Sequence, residues 1–230
     1  MRTGRVKAPD MDTAQKDGIL IPLRELYKQD VEHRDLIAAY ANNFKKRNIL
    51  SPREFRFLVR RLKEYSISFE RRLFRAALAE PLLTVELVPH TCWFSNVRDH
   101  VNRKTWDKLR HSTYQKAGYV CEVCGGRGPK WPVECHEVWH YDDKKHIQTL
   151  IGLTALCPSC HAVKHIGLSG LRGKGEEAEA HLAKVNGWTK QETAAYLKKV
   201  WYTWEVRSRY EWKLDLNWLE QQGIKVAAKR

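Results

Sequence analysis

Apolar residues recur at helical spacing through the first third of the chain. Leu23, Leu26 and Tyr27, then Leu36, Ile37, Tyr40 and Phe44, predict helix, broken near the charged run from Asp30 to Asp35. Residues 1–18 show no such rhythm and are expected as a mobile tail. Ser51-Pro52-Arg53-Glu54 predicts a helix start: Ser51 can accept from the third backbone N–H, Pro52 suits the first helical position and Glu54 completes a capping box. That helix should run to about Tyr65, and another from about Ser68 to Ala79, before Pro81. Thr84 to Val88 is expected as a short strand. Thr105 is expected to cap a helix bearing Trp106, Leu109, Thr113 and Ala117, which Gly118 ends. Further on come a Gly-rich hinge (Gly167 to Gly175), a helix from about Glu176 to Val185, and a capping box at Thr189 and Glu192. Leu197, Val200, Trp201 and Trp204 form a helical stripe assigned to the core rather than to base stacking. Trp212, Leu214, Leu216 and Trp218 alternate with polar residues, as in a half-buried strand.

Charge sharpens this outline. Among 230 residues the net charge is +14 and the isoelectric point about 9.6, a field that attracts polyanions, nucleic acid first and anionic membrane second. Between Lys45 and Arg75 stand eleven Lys/Arg against three Glu, so Arg56, Arg60 and Arg61 are candidate phosphate contacts. No apolar run is long enough to span a membrane, and the first residues lack the apolar centre of a signal peptide; a cytoplasmic protein is expected. With 43% hydrophobic residues and nine Trp the chain can build a core without disulfide staples, so its six cysteines are better read as metal ligands.

Cys121-Glu122-Val123-Cys124 and Cys157-Pro158-Ser159-Cys160 are two CxxC pairs with 32 residues between them. Two intervening residues let both thiolates of a knuckle face one ion, and two knuckles complete the tetrahedron that zinc prefers. Gly125-Gly126 allows the turn the first knuckle needs. Cys92 is read as a small buried residue. Histidines crowd the same stretch: His161 and His165 would share one face of a helix starting at the second pair, and His136 lies in Val133-Glu134-Cys135-His136-Glu137-Val138-Trp139, a candidate strand. Each alone fits an ordinary core or surface histidine; together they point to a metal site.

CEVC at 121–124, CHEVW at 135–139 and GLTALCPSCHAVKH at 152–165 together resemble the zinc-stabilised HNH endonucleases of the ββα-metal superfamily. The resemblance covers about Cys121 to Gly167 and extends upstream to about Val88. It implies a treble-clef-like ββα-metal core with structural Zn2+ over residues 81–171. With the helical patterns on either side an α+β protein is expected, in which a basic helical extension covers 1–80 and a helical region over 172–230 packs on the core and ends in a short strand. The resemblance also implies His136 as general base and His161 and His165 as ligands of a catalytic divalent metal such as Mg2+ or Mn2+. Cys135 stands where the family has Asp or His, and Gly152 where it has the Asn that braces the loop between strand and helix.

These residue types suit phosphodiester hydrolysis. Histidine is the side chain whose ordinary pKa lies near neutrality, and a cation can offset the charge that develops on phosphate. Glu137 is the rival base, but strand alternation sends it to the face opposite His136. Lys164, with Arg98, Arg103, Lys104, Lys108 and Arg110, would neutralise backbone phosphates of DNA, expected double-stranded, while the N-terminal helices could meet a protein partner. Two functions follow: a metal-dependent DNA endonuclease, or a zinc-stabilised nucleic-acid-binding module that does not cleave and serves a larger nucleoprotein complex.

Overall fold

In a computed structural model, residues 10–78, 80–93 and 96–224 are described, and the chain divides into two compact units that meet between Leu82 and Leu83. The first unit is helical: α1 (Thr13–Gln29), α2 (Arg34–Arg47), α3 (Pro52–Glu64) and α4 (Arg71–Ala76). Residues 13–18, expected as tail, are the first turns of α1; residues 1–9 lie outside those described. A capping box decides the difference, because Asp12 accepts from the Gln15 amide and the Gln15 side chain accepts from the Asp12 amide. Gly18 belongs to the packing, since a Cβ there would run into the Leu73 side chain. Ser51 and Glu54 form the expected box at the start of α3. Ile19, Leu23 and Leu26 of α1, Ile37 and Phe44 of α2, Phe55, Leu58 and Leu62 of α3, and Phe74 of α4 make the core. Helix α4 is shorter than expected, and Ala79 lies outside the described residues.

The second unit contains α5 (Arg103–Lys116), β1 (Glu134–Asp142), β2 (Ile147–Leu156), α6 (Pro158–Lys164), α7 (Ile166–Leu171), α8 (Gly175–Asn186), α9 (Lys190–Arg207), β3 (Lys213–Asp215) and α10 (Asn217–Gln221). Strands β1 and β2 form an antiparallel hairpin, and β3 runs parallel to β2, giving a mixed α+β unit with the order β1-β2-β3. Val97, Leu150, Leu216 and Leu219 form a core under this sheet, packed on by Trp106, Leu109 and Trp139.

Five local expectations change here. Thr84 to Val88 is no strand: the amides of Leu83, Val85 and Glu86 donate instead to Asn186 Oδ1, the Tyr196 hydroxyl and the Lys164 carbonyl, so helical neighbours take the bonds a sheet would have used. The N-cap of α5 is Asn102, whose side chain accepts from the Thr105 amide. Much of the expected glycine hinge is helical in α7. The alternating run at Trp212 to Trp218 gives only β3 before α10 begins. Gly152 lies within β2 opposite Val138, beside a register slip, and its φ of 157° suits glycine there; it is not in a loop before α6. No helix among the described residues is long and apolar enough to cross a membrane.

Candidate metal centres

The first centre is built at the two ends of the hairpin. Cys121 and Cys124 belong to a knuckle between α5 and β1, closed by the Gly125 amide donating to the Cys121 carbonyl and the Cys121 amide donating to the Gly126 carbonyl. Gly125 there has φ of 74°, a left-handed conformation natural to glycine. Cys157 follows β2 and caps α6, its sulfur accepting from the Cys160 amide at 3.5 Å, and Cys160 is fully buried. The four Sγ atoms all lie within 4.8 Å of one another. The donor set fits zinc: four soft sulfurs converge, and amides of Gly126 and Cys160 point at Cys124 and Cys157 to stabilise thiolate charge. Hydrogen bonds from Cys121, Cys124 and Cys160 lower the Cys157 pKa. His181 of α8, whose Nε2 is 3.2 Å from Cys160 Sγ, was not singled out from the sequence, where it lies 21 residues away with no motif spacing.

The second centre brings together the three histidines expected from the sequence. His136 comes from β1, His161 from α6 and His165 from the C-cap of α6. Their ring centroids form a near-equilateral triangle with sides of 5.3, 5.0 and 4.9 Å, and one nitrogen from each lies within 4.8 Å of the others. Carboxylates brace two of the rings from outside: His136 Nε2 is 3.0 Å from Glu86 Oε2, and His161 Nδ1 pairs with Glu134 Oε2. Metal-binding imidazoles characteristically have such a partner on the far nitrogen, where it fixes the tautomer and directs the other lone pair inward. Burial, then the neighbouring His136 and His161, push the pKa of His165 down to about 3; burial also lowers His161 despite Glu134. Neutral imidazoles are the form a divalent ion takes, so this set also fits a metal.

Around the triangle the expected roles divide. Lys164 is not available to phosphate: its Nζ is buried against Glu86 Oε1 at 2.7 Å and Thr84 Oγ1 at 2.8 Å. Burial raises the Glu86 pKa, but the His136 hydrogen bond and the Lys164 charge outweigh it and hold the carboxyl at about 2. Glu86 was missed because it lies in a segment read as an ordinary strand. Glu137 does turn away to accept from the Val97 amide at 2.9 Å, yet it lines the same cleft of about 720 Å³ as His136, and burial raises its pKa. Cys135 is buried, and burial pushes its thiol up to about 11. Arg98 is exposed at the cleft, its guanidinium 5.0 Å from the Trp106 ring centre. Arg103, Lys104 and Lys108 are exposed on α5, while Arg110 is tied to Asp107 at 2.7 Å. In the first unit Arg56 is half-buried and Arg60 exposed. Arg61 is spoken for by the fully buried Asp30 and by Glu64, so it holds helices together rather than facing solvent. The expected core stripe on α9 splits, with Leu197 buried and Trp201 exposed beside the cleft.

The chain matches no family model, no curated protein and no solved structure.

Proposed function

We propose that the protein is a metal-dependent phosphodiesterase acting on DNA, with its reaction centre at His136, His161 and His165. The observation that carries the reading is the convergence of three imidazoles, two braced by carboxylates, at the wall of an open cleft. Paired with it are the HNH-like arrangement of CEVC, CHEVW and GLTALCPSCHAVKH and a net charge of +14. A divalent ion bound there supplies positive charge for the phosphoryl oxygens and acidifies water. Imidazole ligands accept Mn, Ni, Co or Zn and hold Mg more weakly. Glu134 and Glu86 keep His161 and His136 oriented, and Arg98 meets a phosphate entering the cleft.

The family resemblance gives His136 the part of general base. The triangle favours a second part for the same residue, as third metal ligand; Glu137 is then the cleft carboxylate left to accept the proton. Single-turnover cleavage of plasmid DNA across a Mn titration separates the two. If His136 is the base, His136→Ala abolishes cleavage at every Mn concentration and leaves metal affinity unchanged. If it is a ligand, metal affinity falls with the cleavage, and Glu137→Gln loses turnover at normal affinity. A wild-type protein that binds DNA but cuts with no divalent ion overturns the enzyme and leaves the non-cleaving nucleic-acid-binding module.

A further inference from the structure

The cleft that holds the three histidines has a second, apolar wall that catalysis by imidazoles does not require. Trp93, Trp201, Leu168 and Leu171 line it and are 54%, 39%, 46% and 86% exposed. The aromatic part is built rather than loose. The indole N–H groups of Trp93 and Trp204 both donate to the Val88 carbonyl, at 3.1 and 2.9 Å. Trp201 stands edge-on to Trp204, with ring centroids 5.8 Å apart and planes at 89°. Gly167, two residues beyond His165, lies so close to the Trp201 ring that a Cβ there would be 3.4 Å from it. The exposed indole is therefore held directly against the element that supplies the third histidine.

Resting on the nuclease reading above, we propose that this wall binds an unpaired nucleobase by stacking, and that the preferred substrate carries a single-stranded or extruded nucleotide beside the scissile phosphate. An indole face stacks on any base with little regard to sequence. Bases inside a duplex have both faces covered by their neighbours, so only an unpaired or flipped base can offer one sideways. The occupant must also bring negative charge, because the same cleft presents Arg98 and lies in a strongly basic chain. A nucleotide satisfies both halves of the cleft at once, with the base on the indoles and the phosphate at the histidines.

The test uses the full chain with its structural zinc, without chelator and with no Mn or Mg added, so that binding is read without cleavage. Affinity for an oligothymidylate strand and for a mixed-sequence duplex is measured by fluorescence anisotropy for wild type, Trp93→Ala, Trp201→Ala and the matching Phe variants. Each Ala variant should weaken single-strand binding about 5- to 150-fold and change duplex binding less than about twofold, while Phe restores most of the loss. Circular dichroism confirms that each variant is folded, and Trp93→Leu or Trp201→Leu, apolar but without a stacking face, carries the test where an Ala variant is not folded. Unchanged single-strand affinity, or an equal loss on strand and duplex, overturns the proposal. So does sedimentation showing that the substitutions instead split a dimer, which would make the wall a contact between copies. Plasmid cleavage with Mn reads the nuclease separately: a protein that cuts normally while its Trp variants bind as wild type has lost only the stacking wall.

Discussion

Helix α6 supplies neighbouring residues to both centres, Cys160 to one and His161 to the other, yet the two are surrounded differently. The four sulfurs close on themselves, with three of the four cysteines buried, and four ligands leave a tetrahedral ion no open position. The three imidazoles leave positions free and line a cleft of about 720 Å³. Ligand count and access, more than residue type, separate a centre that holds the chain together from one that can meet a substrate. A short helix pinned by the first also fixes the histidines of the second.

The largest effect expected from that contrast is on folding. Cys121→Ser should remove the zinc and the cooperative thermal transition of the second unit, since structural zinc contributes folding free energy on the order of 10 kcal/mol. His161→Ala should leave that zinc content and transition in place. Metal analysis with calorimetry on both variants checks this. A Cys121→Ser protein that melts like wild type removes the structural assignment, and a His161→Ala protein that fails to fold shows the two centres to be one.

Next in size is the network behind the histidines. Glu86→Ala leaves the buried Lys164 ammonium without its carboxylate, a change that typically costs about 3–5 kcal/mol. The thermal midpoint of the second unit should fall by on the order of 10 °C. Glu86→Gln with Lys164→Met should recover part of it, and a double variant no more stable than Glu86→Ala argues against the pairing. The same carboxyl gives an acid limit. Its folded pKa of about 2 lies below the ordinary 4.5, so as pH falls the unfolded chain takes up the proton first. The stability it contributes is complete above about pH 4.5 and is lost as the pH falls from there towards 2. The decline of stability between about pH 4.5 and 2, read by urea unfolding with tryptophan fluorescence, should therefore be shallower in the double variant, where no such group remains.

How much of this could be read from the sequence depends on how local the signal is. Each cysteine knuckle, the His161–His165 pair and the capping boxes at Ser51 and Thr189 depend on residues a few positions apart, and their spacing carried them; His136, more distant in the chain, was joined to them by the CHEVW segment of the family resemblance. Glu86 and His181 act across 50 and 21 residues with no fixed spacing, so nothing in their neighbourhood marked them. Lys164 and Arg61 show the same limit: a cation in a basic stretch reads as a phosphate contact, and nothing local tells that the fold pairs it with Glu86 or Asp30. Strand alternation likewise separated His136 from Glu137 in their hydrogen bonds, but could not show that both residues line one cleft.

The smallest effect sharpens the contrast from outside. If the second unit receives the polyanion, the exposed lysines of α5 carry phosphate contacts and the buried lysine of α6 does not. Each phosphate contact releases condensed counterions, so Lys104→Ala and Lys108→Ala should each reduce the slope of log affinity against log salt by about 1 between about 50 and 200 mM. Lys164→Met should leave the slope alone even though its residue adjoins His165 in the chain, because its charge is already neutralised by Glu86. Duplex binding by fluorescence anisotropy across that salt range gives all three slopes. A slope that falls only for Lys164→Met would place the phosphate path beneath the histidines instead of along α5. Slopes unchanged for both α5 variants would move the nucleic-acid contacts to other cations, with Arg60 and Arg56 of the helical unit the next to replace.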